Sequence, residues 1–256
     1  MFWRDFLMTK RIRVRVKKRP LRIDIATLFP DMCETVLNES IVGRARRAGK
    51  IELHCHQIRD YSTDKHRRVD DTPYGGGMGM VMQAEPIYRC FTEVTKESAR
   101  KPHVIYMSPK GTVLTQQKAV ELSKMHDLFI ICGHYEGVDQ RVIDKIVDEE
   151  ISIGDYVLTG GELPALVLTD AVARMCEGVL SSEECFTEES HFSGLLEYPH
   201  YTRPEIWEGE KVPDVLLTGH HKNIAEFRHN EAVKITKERR PDLYKLFTEN
   251  TNMNAK

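Results

Sequence analysis

The chain has 256 residues, 41% of them hydrophobic and 30% charged, ordinary values for a globular protein with room for one large domain or two modest ones. It holds no run of about 18 apolar residues, which excludes a membrane-spanning helix, and its six cysteines form no Cys-x-x-Cys pair, which argues against a zinc or dithiol site. The net charge of −2 is unevenly spread: residues 1–20 hold eight Lys/Arg against one acidic residue, leaving 29 basic and 38 acidic groups in the other 236, so any nucleic-acid contact must rest on local basic patches.

Residues 1–20 have no apolar core segment and no small-residue cleavage site, so a secretory signal is not expected. The stretch is Arg-rich and acid-poor like a transit peptide, but short and poor in Ser. It reads as a disordered basic extension or the product of an upstream start, with a basic RNA-binding arm as the alternative. Cysteines such as Cys132, inside the apolar run 128–132, read as buried thiols of a reducing cytosol, and the expected location is cytoplasmic.

In chain order, residues 22–29 (RIDIATLF) alternate as a strand and stop at Pro30. Residues 31–48 suit one helix ending at Gly49. Residues 51–58 (IELHCHQI) alternate strictly as a second strand, which puts His54 and His56 on one face. Residues 59–80 form a long, polar, glycine-rich loop, a length that marks function or mobility. A helix over 84–99, a strand over 103–107, a helix over 115–125 and a strand over 127–132 follow. After a turn at 133–137 come a short helix from Asp139, a strand over 147–153, and a helix over 161–179 with Pro164 in its first turn. Strands alternating with helices predict a parallel α/β sheet. Residues 181–200 are acidic and without period, a linker, and residues 212–248 predict a small helical module.

No standard nucleotide loop is present. DTPYGGGMGMVM, at 71–82, lacks the third glycine of a dinucleotide fingerprint, and no G-x-x-x-x-G-K-[ST] occurs. Kinases, GTPases and ordinary dehydrogenases are thereby disfavoured. Three glycine-bearing loops instead follow predicted strands: 108–111 (SPKG), 133–137 (GHYEG) and 152–161 (SIGDYVLTGG). Ligands of open α/β sheets bind beyond the carboxyl ends of strands. One such loop is most simply a tight turn. Three in succession bring bare backbone N–H and C=O groups to one place, suited to an adenine edge and a ribose.

GHYEGVDQR, ISIGDYVLTGGELPALVLTDAVAR, DDTPYGGGMGMVM and YPHYTRPEIWEG resemble the signature segments of bacterial tRNA (guanosine-37) N1-methyltransferases of the SPOUT class. The resemblance runs from about Leu21 to the C-terminus. It implies a parallel α/β domain with a deep trefoil knot at 21–180, a flexible linker at 181–200 and a C-terminal helical tRNA-binding domain at 201–256. It implies a homodimer with each active site shared between subunits. S-adenosylmethionine is expected against Tyr106, Ser108, Pro109, Gly133, Tyr135, Ile153, Gly154, Asp155, Tyr156, Val157, Leu158, Gly160 and Pro164. The expected target is the guanosine just 3′ of the anticodon in tRNA.

Guanine N1 carries a proton at neutral pH and is then a poor nucleophile, so a base must remove it as the methyl is attacked. Charge then develops on O6, where a cation helps. The resemblance assigns the base to the linker at Glu188-Glu189-Ser190, with Glu189 standing where family members often carry Asp. It places Arg174 to support either the base or O6, the plain alternative being an i,i+4 ion pair with Asp170. Glu136 matches an acidic residue associated with Mg2+, its alternative being a turn residue ahead of the Asp139 helix. Asp70, Gly75, Gly77, Arg174, His200 and Arg203 are the expected RNA contacts by family position. Further basic candidates are Arg44, Arg46, Arg47, Lys50, the KHRR run at 65–68 and the KERR run at 237–240.

Overall fold

The computed structural model describes residues 19–98, 100–181 and 189–254, without the side chains from 250 onward. The basic extension lies almost wholly outside the described residues, as do Glu188 and Cys185. Five strands form one sheet: β1 (Leu21–Thr27), β2 (Ile51–Gln57), β5 (His103–Val113), β6 (Asp127–Cys132) and β7 (Glu149–Ser152). Two short strands, β3 (Asp70–Asp71) and β4 (Val81–Met82), form a separate hairpin. The sheet order is β2-β1-β6-β5-β7 and every pair is parallel. The alternation read from the sequence thus ends in the expected α/β class. Covered on both faces, β1 and β6 are buried along nearly their whole length.

Successive side chains of a strand point to opposite faces, and this splits the core in two. Ile23, Ile25, Leu53, Ile105, Leu128 and Ile130 lie on one side. There they meet α1 (Pro30–Leu37), α2 (Ser40–Arg47), α4 (Gln116–Ser123) and α6 (Glu162–Ala173). Ala26, Val104, Tyr106, Phe129 and Ile131 lie on the other, against α3 (Ala84–Thr95) and α5 (Gln140–Ile146). Phe91 of α3 packs edge-on to Phe129, ring centroids 5.4 Å apart. Burial pushes the thiols of Cys90 and Cys132 above their ordinary values, in keeping with inert packing cysteines.

The buried Asp24 of β1 accepts from Arg22 at 2.7 and 2.9 Å and pairs with His56 Nε2 at 2.7 Å. Burial alone would raise its pKa, but the hydrogen bonds from His56 and Arg22 outweigh it and hold the carboxyl below the usual range.

The structure departs from the sequence reading at several joints. The single helix expected over 31–48 is two, because the chain breaks at Asn38 and Ser40 takes a left-handed φ of 52°. Gly43 packs against the Asn38 carbonyl, where no Cβ fits. Arg46 hydrogen-bonds Glu34 and the Leu53 carbonyl, and Arg47 the Asn38 carbonyl, so two of the candidate RNA cations also staple this corner. The helix expected to reach 179 ends as α6 at Ala173, where bonds tighten to i→i−3 at Met175 and Cys176.

Beyond the linker a hairpin absent from the sequence reading, β8 (Ile206–Trp207) with β9 (Glu210–Lys211), precedes α7 (His221–Arg239) and α8 (Pro241–Asn254). Arg228 of α7 lies 4.8 Å over the Tyr198 ring. No helix among the described residues is long and apolar enough to cross a membrane.

Candidate functional site

Three loops meet beyond the carboxyl ends of β5, β6 and β7. β5 bulges so that Met107 and Thr112 both face Ile151, and the extra residues put Ser108, Pro109 and Lys110 in the wall of a cleft. The strand expected to end at Met107 therefore resumes after the bulge and reaches Val113. The loop after β7 returns to the loop after β6: His134 bridges Gly160, and Gly161 N–H donates to the Gly133 carbonyl at 2.8 Å. The enclosed volume is about 200 Å³.

Two glycines are demanded by close approach. A Cβ on Gly133 would stand 2.8 Å from the Tyr106 hydroxyl. One on Gly160 would run into the Glu162 carboxylate and lie 2.6 Å from His134 Nδ1. Glu162 is itself buried and accepts from Thr27 Oγ1 at 2.8 Å.

Tyr106, Ser108, Pro109, Gly133, Tyr135, Ile153, Gly154, Tyr156, Val157, Leu158, Gly160 and Pro164 all line this cleft. Asp155 is exposed and does not. Lys110, His134, Thr159 and Gly161, inside the three expected loops but not among the expected cofactor contacts, line it too. Each stands beside an expected residue, so the loop pattern held the signal. Burial raises the Tyr106 pKa, so its phenol stays protonated. Among the described residues His134 Nδ1 is buried without a hydrogen-bond partner, between the rings of Phe29 and Tyr135 at 5.3 and 5.0 Å. Bare glycine backbone, a phenol, an aliphatic wall and an orphaned ring nitrogen suit a nucleoside.

The glycine-rich loop at 71–82 is tied to the same cleft. Glu136 N–H donates to the Met80 carbonyl at 3.0 Å, Met82 N–H to Gly137 at 2.9 Å and Asp139 N–H to Met82 at 2.9 Å. Gly79, with φ 86°, rests against the Glu136 side chain; a Cβ there would be 2.6 Å from Oε1. Asp70 is half-buried at the base of this hairpin, while Gly75 and Gly77 sit in its exposed tip with Tyr74 and Met78. Among the described residues no group of three or more His, Cys, Asp or Glu is placed to hold a metal ion, so Glu136 offers a single carboxylate.

Arg174, at the carboxyl end of α6, donates through Nη2 to both Glu189 oxygens, at 2.7 and 2.6 Å. Among the described residues no ion pair joins it to Asp170, the plain alternative. Neither Arg174 nor Glu189 lines the cleft, whereas Pro164 does. Ten residues of helix, at about 1.5 Å each, separate Pro164 from Arg174 by about 15 Å. His200 pairs with Glu197 at 2.9 Å, and Arg203 is exposed ahead of β8. In the KHRR run, Arg67 and Arg68 pair with Asp60 and Asp64, both at 3.0 Å.

A second, shallower hollow is lined by Tyr88, Phe91, Arg100, Lys101 and Lys145. It lies toward the amino end of β5, away from the strand ends where open α/β sheets bind ligands. Lys145 sits over the Tyr88 ring and Lys101 pairs with Asp148.

The layered parallel sheet and its glycine-walled cleft define an α/β protein with a cleft whose lining suits a nucleoside. The family model described as tRNA (Guanine-1)-methyltransferase TrmD matches residues 21–246. A tRNA (guanine-N(1)-)-methyltransferase of Ruminiclostridium cellulolyticum is 55% identical over 224 residues, 88% of this chain and 96% of that protein. One from Clostridioides difficile is 54% identical over 230 residues, covering 90% and 100%. The crystal structure of a tRNA (m1G37) methyltransferase from Aquifex aeolicus overlays with a TM-score of 0.73 at 42% identity, over 87% of this chain and 94% of that one. The chain belongs to the tRNA (guanine-1)-methyltransferase family.

Proposed function

We propose that this protein transfers a methyl group from S-adenosylmethionine to N1 of the guanosine immediately 3′ of the anticodon in tRNA. The observation that carries the reading is the Arg174–Glu189 pair, a carboxylate oriented by a guanidinium in a chain with a nucleoside-shaped cleft. When bound, S-adenosylmethionine supplies a sulfonium methyl. The cleft residues hold it: Gly133, Gly154 and Gly160 through backbone, Tyr106 and His134 through polar atoms, Ile153, Leu158 and Pro164 through apolar contact. Glu189 takes the proton from guanine N1. The rest of the Arg174 guanidinium faces O6 and stabilises the charge that develops there. Asp70, Gly75 and Gly77 cradle the guanosine, and His200 and Arg203 contact the tRNA.

The same reading makes the protein a homodimer with shared sites. Support comes from the cleft and the Arg174–Glu189 pair lying at opposite ends of α6. A two-fold pairing of α6 helices places the partner's pair over this chain's cleft. Leu163 and Val167, one turn apart on α6, are exposed, as are Phe29, Met32 and Val36 around the neighbouring α1. That apolar face is the surface such a pairing covers.

The trefoil knot belongs to this proposal, supported by the return of the 153–161 loop onto Gly133 and His134. So do the domain boundaries at 21–180, 181–200 and 201–256, and a cytoplasmic location. Glu136 is a Mg2+ contact only with water and substrate oxygens completing the shell, and no step above depends on the ion. Methyl transfer from labelled S-adenosylmethionine to two tRNA transcripts tests the reading. Label is expected on the transcript with guanosine 3′ of the anticodon and none where adenosine replaces it. Equal labelling of both, or of neither while the cofactor still binds, overturns it.

A further inference from the structure

We propose that Thr236, in the C-terminal module, is a positioning residue for the Glu189 carboxylate. The inference rests on Glu189 being the base. Residues 189–197 close on themselves: His191 N–H donates to the Leu195 carbonyl at 2.9 Å, and Glu197 N–H donates to Ser190 Oγ at 2.9 Å. His191 and Gly194 turn the chain with φ of 72° and 83°. The loop therefore moves as one piece, with Glu189 at one end and Leu196 at the other.

Among the described residues, a buried hydroxyl in α7 holds the far end of that piece. Leu196 N–H donates to Thr236 Oγ1 at 2.8 Å, and Thr236 donates to the Ala232 carbonyl at 2.6 Å. Thr236 has no exposed surface, and Leu195 and Ala232 are buried around it. A hydrogen bond shielded from water holds a fixed length better than an exposed one. Ser190 adjoins Glu189 in sequence, and Glu197 adjoins Leu196. The Ser190–Glu197 bond thus carries the anchor's position to the base. Glu has three side-chain torsions and a long reach, so its carboxylate is only as well placed as the backbone beneath it. Arg174 fixes the carboxylate from the catalytic side, and Thr236 fixes the backbone from the other.

The test uses the full-length enzyme and a tRNA transcript under single turnover. Thr236→Val keeps the side chain's shape and removes the hydroxyl; Thr236→Ser keeps the hydroxyl. The valine variant should lose about tenfold to a hundredfold in the saturating methyl-transfer rate, because misplacement by about 1 Å can cost about 10²-fold. Affinity for tRNA and for S-adenosylmethionine should stay within about twofold, and the serine variant should recover the rate. In a Glu189→Gln background the valine should add no further loss, since both changes act through one carboxylate. Ser190→Ala, which cuts the same relay without touching α7, should show the same kinetic split if Thr236→Val folds poorly.

The proposal is overturned by an unchanged rate in both Thr236→Val and Ser190→Ala. It is also overturned by weakened tRNA binding at an unchanged saturating rate, or by losses that multiply with Glu189→Gln. Glu189→Gln at full rate would remove the base reading itself, which is a separate outcome.

Discussion

Two inactive variants should rescue each other when they share a dimer. Gly160→Ala drives a methyl into Glu162 and His134 and should abolish cofactor binding. Glu189→Gln leaves the cleft intact and removes the base. Within one chain the about 15 Å of α6 between Pro164 and Arg174 far exceeds the about 3–3.5 Å at which reacting atoms must meet. On the proposed reading, each site combines one chain's cleft with the other chain's base. A heterodimer of the two variants has one site with both defects and one with neither. Co-expressed with two different tags and purified through both, it should show about half the wild-type turnover per dimer. Each homodimer should stay near background in the same labelled-methyl assay. Intrachain sites would leave the heterodimer as inactive as its parents, and that result would refute the shared-site reasoning.

Arg174→Ala and Glu189→Gln should each lower turnover by about 10²–10⁴-fold, as removal of a proton-transfer group does, with cofactor affinity measured by calorimetry unchanged. A near-normal rate in either removes its assigned role. Asp24→Asn should lower stability by about 2 kcal/mol, the scale of a lost charge-assisted hydrogen bond, seen as a melting temperature lower by about 6 °C. Because folding lowers the Asp24 pKa, its stabilisation is full above the unfolded value of about 3.9 and is lost as pH falls through the folded one. Acid titration of the melting temperature should therefore fall less steeply in Asp24→Asn than in wild type. Deleting residues 1–20 should leave methyl transfer unchanged, and a large loss would favour the basic-arm alternative.

Much of the catalytic half was legible because its determinants are local. Alternation in RIDIATLF and IELHCHQI sets which side chains reach each face of β1 and β2, and a strand's two-residue period needs no distant partner to express it. The helices expected from Thr115 and Asp139 start locally too: Thr115 accepts from Lys118 N–H and Asp139 from Arg141 N–H, each within the first turn. The break at Ser40 was not legible, since it depends on Gly43 meeting the Asn38 carbonyl in three dimensions. The hairpin at 206–211 was missed because two-residue strands carry no period to read.

By itself, then, the sequence determined the strand faces, the helix starts and the three glycine loops that wall the cleft. Backbone sterics and apolar periodicity act over a few residues and are written in the chain. Only the tertiary structure decided that Glu189 turns to Arg174 rather than to solvent, that the 71–82 loop docks on Glu136, and that Thr236 of α7, 40 residues on in sequence, accepts from Leu196 N–H of the linker. Each of these joins segments that share no local pattern, and each is selected by what the folded core leaves within hydrogen-bonding reach.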